Sequence, residues 1–160
     1  MMKRFLWIAV ALCLSPAVAV AGEFDEVTRD SEILLVLWST DDCGFCSRWK
    51  GSRGGKRELQ DWPDYDKITY REVNRPFRSL DLAAGHFPAD LKWLFDARVK
   101  SRQLKTGPVP AWTIYVDRKE VEQAYGTSKW NTIIFPLLQE LAAEKIALQK
   151  QSTDRQIHPR

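Results

Sequence analysis

The stretch ILLVLWSTDDCGFCSRWK, residues 33–50, decides how this chain folds. Its uninterrupted apolar run, residues 33–38, cannot present a polar face to water, so it predicts a strand buried on both faces, as in a parallel sheet. A polar turn follows, and two cysteines three positions apart then begin a segment that can continue as a helix. A thiol at the start of a helix lies beside unpaired backbone N–H groups and the positive end of the helix dipole, which favours its thiolate. We therefore expect Cys43 to be a nucleophile, with Cys46 as its partner.

Residues 1–21 have the layout of a secretory signal. Two basic residues precede an apolar run, residues 5–14, and small residues follow that end in Ala-Val-Ala at position 21. The apolar run is too short to span a bilayer, so we expect cleavage before Gly22 and export to the periplasm rather than a retained membrane anchor. Cys13 would be removed with the signal.

The composition indicates one domain of modest size. The chain has 24 Lys and Arg, 21 Asp and Glu and 2 His among 160 residues, a formal charge of +3. Without residues 1–21, 139 residues would remain, with 22 bases against 21 acids. We expect a single domain over residues 22–150 and a flexible tail over residues 151–160, which carry no packing pattern. An exported chain with so balanced a charge is not expected to bind nucleic acid.

The cysteine pair favours redox chemistry over a structural or metal-binding role. The loop between Cys43 and Cys46 is too small to be an efficient structural staple, and the expected compartment permits disulfides. The alternative is a copper(I) or zinc module, because thiolates are soft ligands. Only His86 and His158 could add imidazole, and His158 lies in the tail, so we expect neither a metal nor another cofactor. Covalent haem attachment needs a histidine where Ser47 stands.

Five basic residues follow Cys46 before the first acid, Glu58: Arg48, Lys50, Arg53, Lys56 and Arg57. We interpret them as a solvated helix face. The alternative is a positive field that favours the thiolate or attracts acidic substrates. Three glycines in the same stretch, Gly51, Gly54 and Gly55, should end or kink the helix.

The rest of the chain shows strand and helix patterns in turn. A second strand, a helix and the two strands of a hairpin are predicted over residues 67–73, 88–99, 111–116 and 120–125. The helix carries four apolar residues at helical spacing: Leu91, Leu94, Phe95 and Val99. Thr127 or Ser128 should cap a last helix, in which Pro136 marks a kink or a restart.

In chain order, the sequence predicts a buried strand, C-x-x-C, a helix, a strand, a helix, X-Pro, a hairpin and a last helix. This order resembles the thioredoxin fold over residues 33–148. Two features carry the resemblance: Cys43-Gly44-Phe45-Cys46 after the strand and Val109-Pro110 just before the hairpin. The resemblance implies an α/β fold, a thioredoxin-like three-layer sandwich with a central mixed sheet flanked by helices.

The resemblance also implies roles for these residues. Cys43 and Cys46 would be catalytic, and Pro110 would be cis and lie against their disulfide, although an X-Pro bond intrinsically prefers trans. In the family, the residue before this proline offers backbone hydrogen bonds to the substrate chain. Val109, Pro110 and Phe45 are therefore the expected substrate-binding residues.

The implied function is that of an exported thiol–disulfide oxidoreductase that reduces or isomerises disulfides in other proteins. The Cys-Gly-aromatic-Cys motif is similar to that of periplasmic disulfide isomerases, whereas thioredoxin has proline in the third position. Only residues 22–32 would precede the first strand, so we expect a monomer without the dimerisation domain of those isomerases. Its expected partners are protein thiols and disulfides and a membrane redox protein. A thioredoxin-like reductase dedicated to cytochrome maturation is an alternative that the sequence does not separate from a general isomerase.

One departure from the family concerns proton transfer. Thioredoxin keeps a buried carboxylate on the strand before its motif, whereas residues 35–37 of this chain are apolar. Proton transfer near Cys46 is then expected to depend on water or on Asp41 and Asp42.

Overall fold

The structure is a computed structural model that describes residues 27–105 and 107–157, the last three of them by their backbone alone. The expected signal, residues 1–21, and His158 lie outside the described part. No helix within that part is long and apolar enough to cross a membrane.

A four-stranded mixed sheet forms the centre of the described residues. Its strands are β1 (Ile33–Thr40), β2 (Thr69–Arg75), β3 (Ala111–Val116) and β4 (Lys119–Tyr125). The strand order is β2-β1-β3-β4, with β1 parallel to β2 and antiparallel to β3, and β3 antiparallel to β4. All eight residues of β1 are buried. The prediction of a buried strand is confirmed, but only one of its two neighbours is parallel.

The α-helices of the described part are α1 (Gly44–Lys50), α2 (Gly55–Asp61), α3 (Lys92–Lys100), α4 (Thr127–Lys129) and α5 (Phe135–Ile157). Short 3₁₀ turns precede β2 and α3: Tyr65–Lys67, Ala84–His86 and Ala89–Leu91. Gly51 ends α1, and Gly54 is the N-cap of α2. The predicted interruption of the helix by glycines is therefore confirmed.

Alternate residues of β1 face two hydrophobic cores, because side chains of a strand point to opposite faces in turn. Leu35 and Leu37 belong to the core formed with α1, α2 and α5. Leu34 and Val36 belong to the other core, which includes Leu94 of α3. Helices thus cover both faces of the sheet. This is the three-layer α/β sandwich with a central mixed sheet that the sequence predicted.

Two details of the middle region differ from the prediction. Strand β2 begins at Thr69 rather than at residue 67, because Tyr65–Lys67 forms a 3₁₀ turn. Helix α3 begins at Lys92 rather than at residue 88, because Ala89–Leu91 forms another 3₁₀ turn.

The last helix also differs from the prediction. Its N-cap is Gly126 rather than Thr127 or Ser128, at a φ of 84°, a left-handed conformation that favours glycine. A π-helical turn, Trp130–Ile134, precedes the restart at Pro136, which lacks the N–H that would bond the carbonyl four residues earlier. Helix α5 continues to Ile157, so the expected tail begins as a continuation of this helix, and its flexibility stays a prediction.

Candidate active site

Strand β1 delivers the cysteine motif at its carboxyl end. Asp41 and Asp42 make a turn, in which the Asp41 N–H donates to the Arg75 carbonyl at 3.0 Å. Cys43 is the N-cap of α1, with an extended backbone (φ −103°, ψ 102°). Its Sγ accepts a hydrogen bond from the Cys46 N–H at 3.2 Å. The first sulfur thus lies against one of the amides that a helix start leaves unpaired, as the motif predicted.

The two cysteines form a disulfide, with their Cα atoms 5.2 Å apart. Cys46 is fully buried and Cys43 is 3% exposed, whereas Phe45 between them is 55% exposed. The Arg48 guanidinium lies over the Phe45 ring, 4.6 Å from its centroid, a cation–π contact. The motif therefore presents an aromatic ring and a cation to solvent beside the sulfurs.

The loop before β3 completes the site. Val109–Pro110 is a cis peptide bond, as the resemblance implied. The Val109 carbonyl oxygen lies 3.6 Å from Cys43 Sγ. The Pro110 carbonyl accepts the Gly126 N–H at 2.9 Å, which ties this loop to the start of the last helix. Cys43, Cys46 and Val109 therefore meet, Pro110 follows in the same loop, and Phe45 is exposed between the two cysteines.

A carboxylate that sequence reasoning missed lies beside helix α1. Glu72 of β2 is paired in register with Leu37 of β1. Its Oε1 lies 2.7 Å from Lys50 Nζ and 2.7 Å from Ser39 Oγ, both of which can donate to it. The Lys50 and Glu72 side chains are only 25% and 23% exposed. Glu72 thus joins β2 to α1 through Lys50, which lies one helical turn after Cys46.

The alternation of residues along β2 could have indicated this carboxylate. Tyr70, Glu72 and Asn74 share one face of the strand, and Val73 lies on the other. The Tyr70 ring packs against Trp49 of α1, with centroids 6.2 Å apart. Glu72, two residues further on, therefore faces the same helix. Tertiary packing decides which side of the sheet α1 covers, and the sequence of β2 does not predict it.

Tyr70 adds a neutral polar group to this region. Burial raises the pKa of Tyr70, and the negative charges of Glu72 and Tyr65 raise it further. The phenol therefore keeps its proton. Its hydroxyl has no hydrogen-bond partner among the described residues.

Asp41 and Asp42 are exposed and already have partners. Asn74 Nδ2 donates to Asp41 Oδ1 at 2.7 Å. Asp42 accepts the Arg78 backbone N–H at 3.2 Å, and its carboxylate lies 3.5 Å from Arg78 Nε. These contacts hold the turn before the cysteines to β2 and the loop that follows it. A role for either aspartate in proton transfer stays a prediction.

Metal-ligating side chains are sparse around the cysteines. No three His, Cys, Asp or Glu side chains form a metal-binding group within residues 27–105 and 107–157. His86 lies in the turn Ala84–His86, where its Nδ1 accepts the Ala83 N–H at 3.0 Å. That contact leaves only Nε2 of the ring without an assigned hydrogen bond.

The strand order, the mixed strand directions and the two helical layers define a thioredoxin-like fold, as the resemblance implied. The cysteine pair at the end of β1 makes this a thioredoxin-fold protein with a dithiol–disulfide site. No protein-family model matches the sequence, and no curated protein matches it significantly.

Three thioredoxins are among the solved structures to which the chain is similar. The periplasmic thioredoxin SoxS from Paracoccus pantotrophus, in its reduced form, is 13% identical with a TM-score of 0.43, and the match covers 71% of this chain and 98% of that one. Thioredoxin f2 from Chlamydomonas reinhardtii is 14% identical with a TM-score of 0.43, over 72% of this chain and 84% of that one. The oxidised thioredoxin from Plasmodium falciparum is 15% identical with a TM-score of 0.42, over 69% and 82%. These likenesses are distant, so the fold assignment depends on the strand order and not on them.

Proposed function

We propose that the protein is an exported thiol–disulfide oxidoreductase that reduces or isomerises disulfides in other proteins. The proposal depends on one observation, the Cys43–Cys46 disulfide at the start of α1 with the Val109 carbonyl oxygen 3.6 Å from its first sulfur. A disulfide across so short a loop constrains the unfolded chain little, which disfavours a purely structural role.

In the reducing direction, both cysteines begin as thiols. Cys43 loses its proton, and its thiolate attacks one sulfur of the substrate disulfide, so that the other substrate sulfur leaves as a thiolate and takes up a proton. Cys46, as a thiolate, then attacks Cys43 Sγ and releases the second substrate thiol. The substrate gains two electrons and two protons, and the protein ends with its Cys43–Cys46 disulfide closed.

Local contacts support Cys43 as the attacking thiol. The Cys46 N–H that donates to its Sγ favours the negatively charged form. A free cysteine with a pKa of about 8.5 is about 3% ionised at pH 7, and one lowered to about 7 is about half ionised, a gain of about fifteenfold in nucleophile. Arg48, which lies over the neighbouring Phe45, adds positive charge, while Asp42 opposes it.

Val109 and Phe45 are the proposed contacts of the substrate. The backbone of Val109 lies beside Cys43, so an extended substrate chain could pair with it as an added strand. The exposed ring of Phe45 offers an apolar contact next to the sulfurs. Pro110 holds this backbone in place.

Reduction and isomerisation differ in the group that resolves the mixed disulfide. When a substrate thiol resolves it instead of Cys46, the substrate's disulfides are rearranged and the protein stays reduced. When Cys46 resolves it, the protein ends oxidised and a dithiol donor must reduce it again. For an exported protein we propose a membrane redox protein as that donor. A reductase dedicated to cytochrome maturation would use the same cysteines and differ in its substrate.

The test is the reduction potential of the Cys43–Cys46 pair, measured by equilibration with glutathione. A value near about −270 mV indicates a reductase and one near about −120 mV an oxidant, a span of about 7 kcal/mol at about 30 mV per 1.4 kcal/mol. Cys43→Ala is the control that removes the couple. The proposal is contradicted if the cysteine pair does not exchange with glutathione at any ratio of reduced to oxidised glutathione.

Export is proposed from the sequence of residues 1–21. Mass spectrometry of the exported protein should find Gly22 at or close to its N-terminus. A folded, secreted product that retains Met1 would contradict this part of the proposal.

A further inference from the structure

A cavity of about 580 Å³ opens beside the cysteine motif, between α1, α2 and the start of α4. Its lining includes Phe45, Arg48, Trp49, Arg53 and Gly55. Phe45 lies between the two cysteines in the sequence, so the cavity begins at a residue of the redox motif. A polypeptide held at Cys43 would therefore reach it.

Two of the five basic residues after the motif form ion pairs, and a third lies over a tyrosine ring. Lys50 Nζ lies 2.7 Å from the Glu72 carboxylate. Arg57 Nε lies 2.7 Å from the Asp61 carboxylate. Lys56 lies 5.7 Å from the centroid of a tyrosine ring of β2. The bases of the run therefore have different surroundings: Arg48, Arg53 and Arg57 are exposed, as a solvated helix face predicts, whereas Lys50 and Lys56 are half-buried.

The other two bases, Arg48 and Arg53, line the cavity. The Arg48 guanidinium lies over the Phe45 ring, a neutral partner that leaves the positive charge of Arg48 in place. Neither arginine forms a salt bridge with an acid of the described residues. Both are exposed. The cavity thus holds two cations whose charge is not neutralised by a salt bridge.

The wall of the cavity also offers a buried donor. Trp49 is 4% exposed, and its Nε1 has no hydrogen-bond partner among the described residues. A Cβ built on Gly55 would lie only 2.2 Å from that Nε1 and 2.7 Å from Nε1 of Trp130. The two indole N–H edges therefore meet at a residue without a side chain. The N–H of Trp130 already donates to Glu58 at 2.8 Å, whereas that of Trp49 does not have an acceptor.

We propose that this cavity binds a carboxylate of the substrate protein, so that the enzyme prefers disulfides flanked by Asp or Glu. The two guanidinium groups are donors that face solvent, and a planar guanidinium matches a carboxylate through paired hydrogen bonds. The one acid of the lining, Glu58, accepts the Trp130 N–H and keeps its negative charge, so the two arginines leave the lining with a net charge of about +1. This inference rests on the proposed thiol–disulfide exchange at Cys43 and adds the class of substrate.

The test compares two disulfide-linked peptide dimers that differ only at the residues flanking the cysteine, Glu in one and Gln in the other. The pre-reduced protein is mixed with each dimer at low ionic strength, and the rate of disulfide reduction is measured in a single turnover. Each rate is then divided by the rate at which dithiothreitol reduces the same dimer. This division removes the effect of the flanking charges on the disulfide itself. We expect the Glu dimer to react about fivefold faster than the Gln dimer, since two exposed ion pairs contribute modestly.

Variants of the basic run locate the preference. Arg48→Gln combined with Arg53→Gln should bring the Glu-to-Gln ratio close to one, and Arg53→Glu alone should lower it as well. Arg57→Gln is the matched control, because it removes the same charge from the same stretch outside the cavity, and it should keep the wild-type ratio. The inference is overturned if the Glu-to-Gln ratio is the same in wild type and in the double variant, or if Arg57→Gln lowers it as much as the double variant does. Either result leaves the proposed function untouched. Failure to reduce either dimer overturns the proposed function and this inference with it.

Discussion

Lys50 of helix α1 and Glu72 of strand β2 form an ion pair with an N–O distance of 2.7 Å, and about three-quarters of each side chain is withdrawn from water. The pair joins the helix that carries Cys46 to the strand next to β1. Removal of one partner of such a pair leaves the charge of the other without compensation in a poorly solvated place.

We expect Glu72→Gln to lower the free energy of unfolding by about 1–2 kcal/mol, because Lys50 loses its counter-charge and Ser39 loses a charged acceptor. Denaturant unfolding of the oxidised protein measures this loss. A double-mutant cycle with Lys50→Gln should give a coupling energy of at least about 0.5 kcal/mol. Strict additivity of the two single variants would show that the contact contributes nothing.

Cys46→Ala should accumulate mixed disulfides with substrate proteins, since Cys43 can still attack but no second thiol resolves the product. Cys43→Ala should accumulate none, because Cys46 is fully buried. Non-reducing gels and mass spectrometry of the trapped adducts distinguish the two variants. The opposite pattern would exchange the roles of the two cysteines.

Strand β3 should make the protein sensitive to alkali through Tyr115. Burial, with a smaller effect of the Glu120 charge, raises the pKa of Tyr115 to about 12, whereas an unperturbed tyrosine titrates near about 10. The stabilisation that Tyr115 contributes is complete below its unfolded-state pKa of about 10. It is lost as the pH rises from about 10 towards about 12, because Tyr115 releases its proton in the unfolded chain at a lower pH than in the folded protein. Within that window this group should lower the free energy of unfolding by about 1.4 kcal/mol per pH unit.

Denaturant unfolding at a series of pH values from about 9 to about 11 tests the tyrosine. Tyr70, whose pKa is also raised by burial, should add to the slope in the same direction. Tyr115→Phe should flatten the slope, and Tyr125→Phe, at a residue that is 41% exposed, serves as the matched control. If the slope of the unfolding free energy against pH is unchanged in Tyr115→Phe, Tyr115 does not contribute to the sensitivity to alkali.

Gly55→Ala should destabilise the protein by about 1–3 kcal/mol, because its Cβ would overlap the indole of Trp49 within the packed core. The new atom would lie 2.2 Å from Trp49 Nε1. Gly44→Ala is the control, since a Cβ there meets nothing within 4 Å, and it should leave stability unchanged or slightly higher. Thermal or denaturant unfolding compares the two variants, and equal stabilities would contradict the packing argument.

The sequence by itself determined the elements that depend on neighbours within a few residues. The apolar run at residues 33–38 predicted the buried strand β1, and the β-branched and aromatic run at residues 111–116 predicted β3 with its observed ends. The spacing of Cys43 and Cys46 after that strand predicted the sulfur at the start of a helix. These patterns are local, because strand alternation, turn chemistry and helix capping each act over two to four positions.

Only the tertiary structure decided which side chains meet across the sheet. The parallel register of β1 and β2 places Glu72 opposite Leu37, and the position of α1 then brings Lys50 to it across 22 residues of chain. The same packing neutralises some bases of the run after the motif and leaves Arg48 and Arg53 at the cavity. Such pairings depend on strand register and on which face a helix covers, and these are fixed by the joint burial of distant apolar segments rather than by the pattern of any one segment.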